Sequence, residues 1–218
     1  MKEDKYAQKL KRLDNQAYIR RCMWNDLDER ISQRFASFKA RSAPVFGETY
    51  LSFLKERPKY KNSPLLAHQF HNATYIKFGS RRLGIANIPD ESQSSLVLRT
   101  EHNAQLFYTQ GSIGDVLVVL SPYVSEVYKV EESEIVIARY KQPSDISSKD
   151  IEKHLRVFEK YALATSHSSA GLFRPYIYRR WLQYQDFRYK DNNRKHIVLA
   201  SERILLFVLA TAGVWLAA

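Results

Sequence analysis

Histidines, hydroxyls, carboxylates and guanidinium groups are where this sequence could carry chemistry, and their spacing sorts them. His68 and His71 stand three residues apart, which would set two imidazoles on one face of a helix. Two ligands do not close a zinc site, and no third is near in the sequence. The single cysteine, Cys22, excludes an intramolecular disulfide framework and a cysteine-based zinc cluster. Gly111-Ser112-Ile113-Gly114 has the look of a phosphate loop, but such loops feed a helix and this one feeds the apolar run Asp115–Leu120. His102, Asp115 and Ser121 are triad residue types without a nucleophile-elbow sequence around the serine. No two carboxylates in this region stand out as an acid/base pair. The expectation is a protein that is not an enzyme and needs no cofactor or metal.

The pattern with most chemical content interleaves arginine with aromatic residues. Residues 173–181 read Phe-Arg-Pro-Tyr-Ile-Tyr-Arg-Arg-Trp, Arg139-Tyr140-Lys141 closes a candidate strand, and Lys77 with Arg81-Arg82 stands before the sheet region. Guanidinium groups take phosphates in fork geometry and aromatic faces stack bases. Lys77, Arg81, Arg82, Arg139, Lys141, Arg174, Tyr178, Arg179 and Arg180 are therefore the candidate residues for a nucleotide or short oligonucleotide. The competing reading makes the aromatics core and leaves the cations to water or lipid headgroups.

The elements that must position these groups follow from length, periodicity and charge. A chain of 218 residues, with 44% apolar and 26% charged residues, is long enough for a substantial core and is not disordered in composition. Residues 1–43 contain neither Gly nor Pro. Their 4-3 repeat places Leu10, Ala17, Trp24, Ile31 and Phe38 at a positions and Tyr6, Leu13, Arg20, Leu27 and Arg34 at d positions, which predicts one long amphipathic helix. Such a helix either packs on its own domain or drives self-association, and the two arginines on the seam argue against a tight parallel dimer. Cys22 falls at an f position, facing water. A shorter helix is expected over residues 48–56, and 65–78 reads as a helix turn running into a strand.

From residue 94 the period changes to two, with candidate strands at 95–101, 104–110, 115–121 and 134–141 and a hairpin loop at 111–114. Val116–Leu120, apolar throughout, is expected to lie centrally with both faces covered. Ser147, followed by Asp150, marks a helix start. Ile151, Leu155, Phe158 and Ala162 form that helix's apolar face, and Pro175 sits in the first turn of another, roughly 175–189. The fold class expected is α+β: a long N-terminal amphipathic helix, an antiparallel meander of about four strands with flanking helices, and a C-terminal hydrophobic helix. The divisions are a helix at 1–43, a binding domain at 44–195 and a hydrophobic segment at 196–218.

The formal charge of +11 is concentrated at the two ends of the body: residues 1–43 carry 11 Lys/Arg against 6 Asp/Glu, and residues 171–203 carry 8 against 3. The second basic segment leads into residues 204–218, which are uncharged and include Ile204, Leu205, Phe207, Leu209 and Trp215. As a helix these span ~22 Å, short of a ~30 Å hydrocarbon core, and starting at Ile197 extends the run to ~33 Å with Glu202 and Arg203 near the interface. Two readings follow: a membrane-embedded segment, or a buried C-terminal helix of a soluble core. In the first, cations before the anchor keep the bulk of the chain cytoplasmic, at a cell inner membrane.

This layout, with a cytosolic α+β body, a long helix able to self-associate, basic aromatic segments and an apolar end, resembles the membrane effectors of bacterial anti-phage defence. The resemblance is one of architecture, and it carries no residue role onto this sequence. It implies an oligomeric membrane protein whose cytosolic domain senses a nucleotide or oligonucleotide and alters its membrane segment. The expected partners are then other copies of the chain through residues 1–43, the membrane through residues 197–218, and a phosphate-bearing ligand. A membrane-tethered adaptor with a protein partner, and a soluble nucleic-acid-binding protein, are the competing classes.

Overall fold

The computed structural model describes residues 2–54, 72–86, 98–125, 127, 132–169 and 171–189. Within them the protein is α+β, with a long N-terminal helical arm and antiparallel sheets. The arm is the expected long helix, assigned as α1 (Lys2–Cys22) and α2 (Trp24–Phe46) with a one-residue interruption at Met23, whose backbone stays helical (φ −69°, ψ −5°) and whose N–H still donates to the Ile19 carbonyl. Arg20 and Arg21 donate from their side chains to the carbonyls of Ile113 and Ser112 in the 111–114 loop, and Gln110 donates to the Arg20 carbonyl, so the last turn of α1 is held to a hairpin. Gly114 makes the approach possible: its φ is +81°, and a Cβ there would stand 2.4 Å from the Arg20 Cβ.

The heptad pattern divides at the same point. Trp24, Leu27, Ile31 and Phe38 of α2 are buried in the protein's own core, while Tyr6, Leu10 and Leu13 of α1 are exposed. Arg20, on the seam, leaves it for the hairpin carbonyl, and Arg34 is exposed. Cys22 faces solvent.

The main sheet has five antiparallel strands in the order β1 (Thr49–Leu54), β2 (Ala73–Phe78), β5 (Gln105–Gln110), β6 (Val116–Ser121), β8 (Ile135–Tyr140). Residues 49–54 form an edge strand, and the expected helix at 48–56 is corrected accordingly. Gly47, at φ +72°, stops α2, and the β-branched and aromatic run Thr-Tyr-Leu-Ser-Phe-Leu pairs residue for residue with β2 from Thr49↔Phe78 to Leu54↔Ala73. Alternation puts Ile76 opposite Leu106, Leu106 opposite Leu120 and Leu120 opposite Ile135 on one buried face. β6 lies between β5 and β8 and is buried along nearly its whole length, as its unbroken apolar run implies.

The expected single meander is also corrected. β3 (Arg81–Ala86), β4 (Leu98–His102) and β7 (Val124–Ser125) form a second, three-stranded sheet, and the strand expected at 95–101 belongs there. Asn103, at φ +69°, makes the turn that carries the chain from β4 into β5 of the other sheet. Buried Glu101 ties the small sheet to the helical layer: it accepts from Ser166 Oγ at 2.9 Å and the His167 N–H at 2.8 Å, and pairs with Arg81 at 2.8 Å.

α3 (Ser148–Thr165) starts on a full capping box, with the Asp150 N–H donating to Ser147 Oγ and the Ser147 N–H donating to the Asp150 carboxylate. Its face of Ile151, Leu155, Phe158 and Ala162 is fully buried. Phe158 stacks on Phe78 at 4.5 Å, and Phe78 stacks in turn on Phe46 at 4.1 Å, which joins α3, the sheet and the end of α2 in one aromatic column. Outside this column Arg41 of α2 bridges to Glu152 and Glu159 of α3. α4 runs Phe173–Tyr184, shorter than the expected 175–189. The chain leaves it because Asp186 accepts the Val136 N–H and Phe187 donates to the Val136 carbonyl, fastening 185–189 to the edge of β8. Among the described residues no helix is long and apolar enough to cross a membrane. Residues 196–218, including Ile204, Leu205, Phe207, Leu209 and Trp215, lie outside the described residues, as do His68 and His71.

Candidate functional site

The outer side of α3 carries a pattern complementary to its buried face. Lys149, Lys153, Arg156 and Lys160 follow one another at spacings of four, three and four residues, which aligns four cations along one stripe of the helix, about 16 Å long. Packing of α3 between α2 and α4 turns that stripe into a wall. Together with Arg34 from α2 and Tyr178 and Trp181 from α4, it encloses an open cleft of about 540 Å³.

Charge in the cleft is unbalanced. Its lining acid is Glu152, and that carboxylate is already committed to Arg41 at 2.8 Å and to Arg156 at 3.3 Å. The hydrogen bond from Arg41 holds the Glu152 carboxyl below its ordinary range, with Arg156 reinforcing it. Arg34, Lys149, Lys153 and Lys160 have no ion-pair partner among the described residues. On the far wall Tyr178 and Trp181 stack with centroids 6.0 Å apart and planes at 24°. Tyr178 is half-buried, which raises its hydroxyl pKa, and Trp181, which lines the cleft, is 49% exposed.

A smaller pouch of about 220 Å³ opens from the same region, and Lys153, Val157 and Trp181 line both. Its other walls are Ile137, Ala138 and Leu182, which are apolar, and Tyr140, His154 and Gln185, which are not. His154 is 4% exposed and sits between two phenols, with Nδ1 3.2 Å from the Tyr108 hydroxyl and Nε2 3.2 Å from the Tyr140 hydroxyl. Burial drives the imidazole down to about 4, against a smaller upward pull from Asp150, so it is neutral at physiological pH. The same desolvation raises the Tyr140 hydroxyl to about 12 and the Tyr108 hydroxyl further.

Of the nine residues that the arginine–aromatic pattern singled out, Tyr178 lies in this cleft. The others are spread over the body. Lys77 is on the sheet face away from the core, with Nζ 5.3 Å from the Tyr75 ring centroid. Arg81 is the partner of buried Glu101, and the neighbouring Arg82 shares a shallow groove with it beside Gly47 and Gly79. Arg139 pairs with Asp115 at 2.9 Å, Arg179 with Glu132 at 3.3 Å, and Arg180 donates to Tyr176 and Gln183 on its own helix. Lys141, just past the end of β8, and Arg174, one turn before Tyr178 on α4, are exposed. The lysine stripe of α3 was visible in the sequence as a 4-3-4 spacing, set two positions off the apolar repeat of the same helix and so on its opposite side. Arg34 and Trp181 join it only through tertiary packing. No group of three or more metal-ligating side chains occurs among the described residues.

No family model, curated protein or solved structure matches the chain.

Proposed function

We propose that this protein is a membrane-anchored, self-associating effector whose helix-lined cleft senses a phosphate-bearing ligand, a nucleotide or short oligonucleotide. The observation that carries the reading is the cleft itself: four cations without a carboxylate partner among the described residues, facing a stacked tyrosine–tryptophan pair. Cations in excess of acids within one concave site attract polyanions, and an open indole face takes a base. Arg34 supplies the transmission route in this reading. It belongs to α2, whose continuation α1 presents Tyr6, Leu10 and Leu13 to solvent. A ligand gripped by α3 and Arg34 together favours one setting of the arm, and a ligand shifts an oligomer only through such differential contact. Residues 197–218 supply the membrane segment in this reading.

Two measurements test it. Binding of a panel of nucleotides and short oligonucleotides is expected to raise the thermal midpoint, and the effect is expected to vanish in Lys153→Ala/Lys160→Ala. A flat panel in the parent protein overturns the sensing half. Liposome flotation is expected to be lost on removal of residues 197–218, and equal flotation overturns the membrane half. The exposed apolar side chains of α1 also support a second reading, a tethered adaptor that recruits another protein. Concentration-dependent self-association abolished by Leu10→Asp/Leu13→Asp favours the first reading, and a strictly monomeric chain favours the second.

A further inference from the structure

The pouch beside the cleft has a polarity that follows from the hydrogen bonds behind it. A neutral imidazole has one N–H and one bare nitrogen. It therefore accepts from one of its two phenols and donates to the other. Tyr108 is wholly buried, and among the described residues its hydroxyl meets only His154 Nδ1. A buried O–H without an acceptor is disfavoured, so Tyr108 is the donor and Nδ1 the acceptor. Nε2 then carries the proton and donates to the Tyr140 oxygen, 3.2 Å away. Tyr140 has its lone pair engaged from behind and its own O–H left over, and Tyr140 lines the pouch.

From this we infer that the pouch is the seat of a nucleobase, which accepts a hydrogen bond from the Tyr140 hydroxyl and is read by the Gln185 amide, while its phosphates lie on the lysine stripe of α3. The size, about 220 Å³, suits one planar heterocycle and not a string of bases. The walls suit it as well: Ile137, Ala138 and Leu182 cover apolar faces, and Trp181, common to both chambers, borders the path from base to phosphate. Lys153 is also common to both, which places a cation where base-bearing and phosphate-bearing parts of one ligand join. Gln185 contributes a donor and an acceptor on one amide, so the pouch distinguishes bases by the order of groups along their edge. The inference rests on the phosphate-binding reading of the cleft and adds which ligand moiety goes where.

The test compares ATP, GTP, CTP and UTP with inorganic tripolyphosphate, by titration calorimetry on the full chain in mild detergent. At least one nucleotide is expected to bind tenfold or more tightly than tripolyphosphate. Tyr140→Phe and, separately, Gln185→Ala are expected to remove most of that preference and leave tripolyphosphate affinity unchanged. Gln185 is exposed, so its variant stays informative should Tyr140→Phe disturb packing. Tripolyphosphate binding as tightly as every nucleotide overturns the base seat while leaving the phosphate cleft standing. A nucleotide preference untouched by either variant overturns the assignment to this pouch. Absence of binding by all five probes overturns both readings.

Discussion

The buried His154 gives the protein a stability profile with a defined acid limb. The group titrates near its ordinary 6.5 when the chain is unfolded and at about 4 in the folded state, because burial disfavours the imidazolium. Between those values the unfolded chain is the better proton acceptor. Stability is therefore fully present above pH 6.5, falls as pH is lowered through the window, and levels off below 4. From pH 7.5 to pH 5 the loss amounts to about 2 kcal/mol, and it reaches about 3 kcal/mol at the plateau. Carboxylates held below their ordinary range, such as Asp150 through its bonds from Ser147, add their own loss at still lower pH. The upper part of the window thus belongs to histidine. Urea unfolding at pH 7.5, 6.5, 5.5 and 5.0 reads the slope, and His154→Gln, expected to be less stable throughout, should lack this component. Should that variant fail to fold, the His154 ring protons in the parent protein serve instead, with no titration expected above pH 5. A ring titrating above pH 6 in the native state, or equal slopes in parent and variant, would refute the reasoning.

Three other perturbations address the framework. Phe158→Ala opens a cavity in the column that stacks on Phe78 and is expected to cost about 3–5 kcal/mol by denaturant midpoint. Glu101→Gln removes the buried charge opposite Arg81, and with Arg81 partly in water the expected loss is about 3 kcal/mol. Gly114→Ala forces a Cβ to within 2.4 Å of the Arg20 Cβ at a φ of +81°. It is expected to release the last turn of α1, seen as faster hydrogen exchange there and a loss of about 1–2 kcal/mol.

Periodicity made much of this fold legible, and it failed where one residue's neighbours in space decide. The buried face of α3, its Ser147–Asp150 start and the hairpin at 111–114 follow from local pattern and turn chemistry, and the structure has them. Residues 49–54 did not read as a strand, because an edge strand with one half-covered face shows little alternation; pairing with β2 decides it. The one-residue interruption at Met23 has no local signal, with neither Gly nor Pro nearby, and the contacts of Arg20 and Arg21 beside it reach a loop some ninety residues away. The second sheet was hidden because β7 has two residues and β3 pairs with β4 through a register shift between Arg82 and Ala86, so neither shows clean alternation alone. At the site, counting arginines among aromatics favoured cations such as Arg81, Arg139 and Arg179, which the fold pairs with Glu101, Asp115 and Glu132. A search for cations spaced along one helix face, away from its apolar positions, finds Lys149, Lys153, Arg156 and Lys160.

The central claim is that ligand lies between α3 and α4, and the Trp181 indole is its most direct reporter. In nitrogen–proton correlation spectra recorded during titration with the tightest-binding nucleotide, the Trp181 indole signal and the Lys153 and Tyr178 amides should move together and saturate at one dissociation constant. The amides of Lys77, Arg82 and Arg174 should stay in place. Movement at those three with an unperturbed Trp181 indole would contradict the account.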